Sequence, residues 1–399
     1  MPTGGDVDVD LDPFAPSDGV SYEQLGQMRQ QCPVARIPVG WYLSRQSDVL
    51  DATKRLDTFA ASFRAPGVVV PEEEQFINEI VGARHARVRK VINASIAHHK
   101  AMRMESFIRD LCNEYLDPVI ERGSGDLIQE VTVPLPINVI AHLIGVPRGD
   151  WEHFWRWSDE VVEGTYPTHY RNERGEGLAG AHPEFTAYID GLIAERRGRD
   201  DQPDDFLNRL LTTEVDGRSL SDVEVRTQLV FLVISGNETT RHLLGNLLAT
   251  LALEPDVFAA LKADRSLVER AIEESLRLHS PIHVLLRNVV ADTAVLGPEM
   301  GAGEKIVFGI ASANRDETVH ADPDEFRLDR DNWRDHVAFG GGPHVCPGAA
   351  LARLEAKVLC ETVLDRLDAI EVAPGWERRK TPVFWANGPV DLPVRVRGR

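Results

Sequence analysis

The chain has 399 residues, 43% of them hydrophobic and 27% charged, with a formal net charge of −19. That is ordinary globular composition with apolar material for a large core, and its acidity argues against general affinity for DNA or an anionic membrane. Four scattered cysteines (Cys32, Cys112, Cys346, Cys360) with no CxxC pair argue against a disulfide framework and fit a reducing cytoplasm. Residues 1–18 are acidic and rich in Pro and Gly, and read as a loosely ordered lead-in without a signal peptide or anchor. "VARIPVGWYLSR" alternates about a glycine and predicts a hairpin. Helical pattern follows from about Arg84 to Glu121, stops at "RGSGD", and resumes as far as about Leu278. "RNVVADTAVLGPEMGAGEKIVFGI" is β-like, and one last helix and short strands at "VFWANGPVDLPVRV" close the chain. The expected fold class is mainly α with a smaller β portion (α+β), as a single domain spanning residues 1–399.

One helix stands out. It is capped at Ser221 and Asp222 and runs to about Glu254, apolar on nearly every side and so expected in the interior. Yet its centre reads Ser235-Gly236-Asn237-Glu238-Thr239. A glycine costs about 1 kcal/mol in a helix and an unpaired buried carboxylate more. Such a breach of local rules marks a functional centre.

The loop "FGGGPHVCPGAALARLE" poses a second problem. Pro347 suits the first position of a helix, which puts Cys346 at its N-cap, where helix amides favour a thiolate. Gly340, Gly341, Gly342 and Gly348 clear space for a large flat neighbour. Nucleophilic catalysis lacks a well-placed base, since His344 is two residues away on a tight loop. Zinc would want more Cys/His ligands nearby, and no phosphate-loop spacing is present. Axial ligation of haem iron needs only one cysteine. From the cysteine alone, a structural turn with a buried thiol remains the simpler reading.

Glu274 and Arg277 lie three apart on one helix face, and His85 and Arg89 lie four apart on another. Together with these pairs, the chain resembles a soluble bacterial cytochrome P-450, a haem-thiolate monooxygenase. Phe339, Gly342, His344, Cys346 and Gly348 match the family's FxxGx[HR]xCxG loop. Gly236, Glu238 and Thr239 match [AG]GxET, Glu274 and Arg277 match ExxR, and "ANRDETVHADPDEF" resembles a further family segment. The likeness spans essentially the whole chain. Ser235 departs from it, standing where the family usually has Ala or Gly.

The resemblance implies a P-450 fold with haem b between the long central helix and the cysteine loop. Cys346 would ligate the iron. Arg89, Arg287 and His344, with His85, would meet the propionates. Phe339, Gly340 and Gly348 would frame the sulfur and the porphyrin. Glu238 and Thr239 would handle protons during oxygen activation, with Ser235 and Gly236 beside them. Glu274, Arg277 and Arg330 would form a structural network. Val230, Phe231, Ile234, Ile282, His283, Val284, Leu285, Phe384 and Trp385 would line the substrate pocket, with the segments 63–76 and 157–170.

The implied reaction is hydroxylation of a hydrophobic small molecule (terpenoid, steroid or fatty acid) with one atom of O2. Alternatives are an aromatic-compound hydroxylase or demethylase, a peroxide-driven peroxygenase and a non-catalytic haem protein. Neither flavin nor iron–sulfur cluster is expected in this chain. Electrons would come from a ferredoxin or flavodoxin and its reductase, docking near Arg84, Arg87, Lys90, Arg103, Arg353 and Lys357. A cytoplasmic monomer with no membrane span and no nucleic-acid partner is expected.

Overall fold

The computed structural model describes residues 11–14, 21–61, 70–96, 101–168, 182–201, 203–214, 217–381 and 383–399. The residues form two compact units, one made of Met1–Pro66, Glu105–Val133 and Thr239–Arg399, the other of Gly67–Met104 and Pro134–Glu238.

The first unit carries the β structure. Helix α1 (Tyr22–Gln31) leads into the predicted hairpin, β1 (Val34–Ile37) and β2 (Gly40–Leu43), then α2 (Gln46–Ala52) and β3 (Phe59–Ala61). Later in the chain, β5 (Val284–Val289) and β6 (Lys305–Gly309) complete a five-stranded sheet in the order β1-β2-β6-β5-β3. Gly40 is required here. Its φ is +141°, and a Cβ would lie 2.0 Å from the Lys305 carbonyl oxygen, so only glycine lets the hairpin dock on β6. Trp41, Leu43, Phe59, Ile306 and Phe308 form a buried core against this sheet.

The long helix expected to end at Glu121 is α4 (Glu105–Arg122), separate from the earlier α3 (Gly82–Ser95) of the second unit. Gly123, at φ +68°, ends α4 and starts β4 (Ser124–Asp126).

In the second unit, α5 (Pro134–Ile144), α6 (Trp151–Thr168), α7 (Pro183–Arg197) and α8 (Phe206–Thr212) accompany α3. Helix α9 (Asp222–Leu253) begins in this unit and ends in the first. Its start is a capping box: Ser221 Oγ accepts from Glu224 N at 3.2 Å and Glu224 Oε2 from Ser221 N at 2.9 Å. The helix is uninterrupted over 32 residues, through Ser235 and Thr239. After α10 (Pro255–Ala263), α11 (Val268–Leu278) carries the ExxR pair. A single turn, α12 (Ile310–Ala313), then precedes α13 (Ala349–Arg366), which packs against α4 and α11. The chain closes with β7 (Leu367–Val372) and β8 (Pro393–Gly398), sheeted with β4 in the order β4-β8-β7. Among the described residues no single helix is long and apolar enough to cross a membrane.

Candidate functional site

The cysteine loop differs from its expected form at the helix start. Helix α13 begins at Ala349 with Gly348 as its cap, and Cys346 lies two residues ahead of that cap. Pro347 and Gly348 make a turn instead of the first helical residues. The sulfur nonetheless stays beside the helix mouth, because a Cβ on Gly348 would sit 3.8 Å from Cys346 Sγ. The Cys346 amide donates to the Phe339 carbonyl at 3.0 Å, closing the loop on itself.

The glycines divide into two kinds. Gly340, at φ +72°, has only Leu285 Cδ1 near its missing Cβ, at 3.9 Å. Gly342, at φ +62°, would drive a Cβ to 2.4 Å from the Thr53 carbonyl, and Gly341 one to 2.9 Å from Thr53 Oγ1. Those two glycines therefore serve the close approach of the loop to the end of α2. Clearing space around the sulfur falls to Gly340 and Gly348.

Arg287 sits in β5, opposite Ala61 on one side and Ile306 on the other. Its guanidinium lies 5.3 Å from the Phe308 ring centroid, and Nη1 donates to the Leu286 carbonyl at 2.9 Å. Its Nε has no partner among the described residues although the residue is only 8% exposed. Burial lowers its pKa to about 10. A buried guanidinium without a carboxylate is costly, and an anionic group of a cofactor would relieve that cost. The residues around the cysteine loop thus fit haem, since a thiol, a glycine-cleared face and an unsatisfied arginine occur in one unit. His344 occupies a short 3-10 turn, Gly342–His344, in the same loop. Phe339 is covered by Arg353, whose Cζ is 4.5 Å from the ring centroid.

His85 and Arg89 fall on α3, one turn apart. His85 is buried, and that burial, reinforced by the charge of Arg89, pulls its pKa down.

The ExxR pair is a closed network. Glu274 takes two hydrogen bonds from Arg277 at 2.8 Å each, one from Arg330 Nε at 2.7 Å and one from the Arg327 amide at 2.9 Å. Arg277 also donates to the carbonyls of Asn314, Pro323 and Glu325 at 3.0, 2.7 and 2.9 Å. Every charge here is matched by donors or acceptors, which makes a buried ion pair tolerable. A neighbouring pair was not foreseen: Glu273 binds His336 Nε2 at 2.8 Å and Arg353 Nη2 at 2.8 Å. Despite the cost of burial, the hydrogen bonds from Arg353 and His336 hold its pKa down at about 2. Glu273 fastens the segment ahead of the cysteine loop to the helix behind it. Its only signal in the sequence was a second acid beside Glu274.

In the centre of α9, Ser235 Oγ donates to the Phe231 carbonyl at 2.6 Å. Gly236 has a packing role: a Cβ there would come 2.9 Å from Ile140 Cδ1 of α5. Asn237 Nδ2 donates to Ser158 Oγ of α6 at 2.8 Å, and Glu238 is buried. Gln228, also missed from sequence, accepts from Ile77 N at 3.0 Å and donates to the Gln75 carbonyl at 2.9 Å. It pins the segment before α3 to this helix.

Of the candidate pocket residues, Phe231 stacks on Phe76 with centroids 5.0 Å apart. Ile282, Leu285 and Phe384 are half-buried, and Val230, Ile234, Val284 and Trp385 are buried. His283 is buried in a bend beside Tyr22, with centroids 6.2 Å apart, and its amide donates to the Trp385 carbonyl. Pocket residues 63–69 and 169–170 lie outside the described residues.

Four of the six proposed docking cations face acids of this same chain. Arg84 is 3.2 Å from Glu224, Arg103 3.9 Å from Asp204, Arg353 2.5 Å from Glu273 and Lys357 3.9 Å from Glu361.

Comparison with known proteins agrees with this geometry. Residues 168–380 match the family model "Cytochrome P450". A steroid C26-monooxygenase of Mycolicibacterium smegmatis is 34% identical over 99% of this chain and 97% of its own length. The erythromycin C-12 hydroxylase of Saccharopolyspora erythraea is 32% identical over 97% of each chain. Among solved structures, cytochrome P450 CYP109Q5 from Chondromyces apiculatus superposes with a TM-score of 0.85, at 32% identity over 99% of each chain. CYP109E1 from Bacillus megaterium in complex with testosterone gives 0.82, at 29% identity over 96% of this chain and 99% of the other. A cysteine framed by glycines, a closed ExxR network and full-length likeness to these enzymes lead to one assignment: the chain belongs to the cytochrome P450 family and is a haem-dependent monooxygenase.

Proposed function

We propose that this enzyme hydroxylates a large, mostly apolar substrate of steroid-like size, with electrons from a separate ferredoxin or flavodoxin and its reductase. The observation that carries the substrate class is the apolar character of Phe231, Ile282, Leu285 and Phe384, which hold no charge for a polar substrate to meet. Relatives named for steroid C26 oxidation and a neighbour bound to testosterone support it.

Haem would be held by Cys346 and, at its propionates, by Arg287 and His344, and would supply thiolate-activated oxygen chemistry. His85 and Arg89 are assigned to the same propionates by motif. The remaining steps belong to side chains. Glu238 is the proton donor, kept from bulk water by burial. Thr239, the next residue, would pass that proton on through its hydroxyl. Ser235 Oγ is directed to the Phe231 carbonyl, so its extra atom stays folded against the helix and preserves the room that Ala or Gly gives elsewhere. Residues 1–399 act as one catalytic domain, and the reaction takes place in the cytoplasm.

The test is spectral titration of the haem-loaded enzyme with testosterone, erythromycin and a short aromatic acid. Testosterone should produce a low-to-high-spin shift and turn over with a ferredoxin–reductase pair. A shift with the aromatic acid alone would reject the substrate class, and turnover only with hydrogen peroxide would reject the electron route.

A further inference from the structure

Helix α11 carries two adjacent buried acids, Glu273 and Glu274, and they serve different neighbours. Glu274 is spent on Arg277, Arg330 and the Arg327 amide. Glu273 instead binds both flanks of the cysteine loop. Arg353, on α13 after the loop, grips it with two teeth, Nε to Oε1 at 2.5 Å and Nη2 to Oε2 at 2.8 Å. His336, ahead of the loop, meets Oε2 through Nε2 at 2.8 Å. The Ala338 amide donates to His336 Nδ1 at 3.3 Å. An amide can only donate, so Nδ1 accepts and the ring hydrogen sits on Nε2, where Glu273 receives it.

Both partners of Glu273 also lie against the Phe339 ring. Arg353 Cζ is 4.5 Å from its centroid, and the His336 ring centroid is 6.2 Å away. A guanidinium attracts an aromatic face only while it stays over it, and the two-toothed grip of Glu273 removes its freedom to swing. Val337 N ties the backbone ahead of Phe339 to Asn314 Oδ1 at 2.7 Å, which leaves the setting of the ring to Arg353 and His336. The Phe339 carbonyl in turn accepts from the Cys346 amide at 3.0 Å. One carboxylate is therefore linked to the cysteine through one aromatic residue. The side chains of Glu273 and His336 are 4% and 2% exposed, and that of Arg353 is 39% exposed. Arg353 is the member that can leave. Without Glu273 its guanidinium has water to turn to, and His336 keeps a buried donor with no acceptor.

We propose that Glu273 is a positioning residue for the haem ligand: through the Arg353 fork and the His336 ring it sets Phe339, and so keeps Cys346 bound to iron as a thiolate. This rests on the reading of Cys346 as that ligand. The two acids of α11 then divide their work, Glu274 holding the fold and Glu273 holding the ligand loop. The geometry also separates charge from orientation. A lysine at position 353 would keep the charge but has no planar fork, so it does not replace Arg353 here.

The experiment follows the carbon monoxide difference spectrum of the reduced, haem-loaded enzyme over time, in the parent and in Glu273→Gln, Arg353→Ala, Arg353→Lys and Phe339→Leu. Decay of a red-shifted Soret band to an unshifted one reports loss of the thiolate. Glu273→Gln and both Arg353 variants should decay at least tenfold faster than the parent. In a Phe339→Leu background, Glu273→Gln or Arg353→Ala should add less than twofold, because their effect runs through that ring. Arg353 is partly exposed, so its variants supply the same reading if Glu273→Gln does not fold. Parent-like decay in Arg353→Ala or Arg353→Lys, or a tenfold effect that persists in the Phe339→Leu background, would overturn the proposal alone. A parent without the red-shifted band would overturn the assignment of Cys346, and the proposal with it.

Discussion

Arg287 shows how a single residue can report on a group the protein must bind. Among the described residues its buried guanidinium has an unpaired Nε and no acid partner. Replacing it by Met should therefore act with opposite signs in two states. The haem-free protein should gain about 2 kcal/mol, because a desolvated charge is removed. The same change should weaken haem retention at least tenfold. Denaturant melts of both forms, with haem-transfer kinetics, check this, and equal destabilisation of both would contradict it. Glu355 makes a second prediction at this scale. It is fully buried on α13 with Oε2 unpaired, and burial raises its pKa to about 8 from 4.5. The folded state therefore keeps a proton that the unfolded chain releases, so stability falls as pH rises from about 4.5 to 8. Glu355→Gln should flatten that slope and be more stable than the parent at pH 8 by about 2–4 kcal/mol, with little difference near pH 4.5. Denaturant titrations at the two pH values measure it.

At the level of elements, the central helix α9 was visible in the sequence because its cap and apolar run obey local rules. Its centre was visible because Gly236, Asn237 and Glu238 break them. The reason for Gly236 was not, since Ile140 lies almost a hundred residues away and nothing in the sequence pairs them. The structure makes that glycine a packing residue: its missing Cβ leaves space for Ile140 Cδ1. Gly236→Ala should cost about 1 kcal/mol more in the parent than in an Ile140→Val background, where the clashing methyl is gone. A double-mutant cycle of unfolding free energies tests this, and simple additivity would refute it. Helix α11 behaves differently. Glu274 is bound by Arg277, Arg330 and the Arg327 amide. Glu274→Ala would strand two buried arginines and cost about 3–5 kcal/mol, read as a loss of folded, haem-loaded enzyme on expression.

For the whole molecule, the mainly helical class, the N-terminal hairpin and the β5–β6 pair were legible because alternation and turn glycines are local signals. Less legible were features that depend on approach between distant segments. Gly341 and Gly342 looked like part of a cofactor cradle, and they are spacers against Thr53 of α2. The acid partners of Arg84 and Arg353, Glu224 and Glu273, were likewise not legible, because they lie far away in the sequence. Cys346 was the reverse case. Its residues alone left a structural turn as the simpler reading, and the role proposed for it rests on motifs spread over the whole chain. Those motifs, full-length likeness to monooxygenases and the unpaired Arg287 converge on thiolate-ligated haem. The most direct test is the carbon monoxide difference spectrum of the reduced enzyme and of Cys346→Ser. A strongly red-shifted Soret band in the parent, lost in the variant, is the result predicted here. The same band in Cys346→Ser, or its absence from the haem-loaded parent, would contradict the assignment of Cys346.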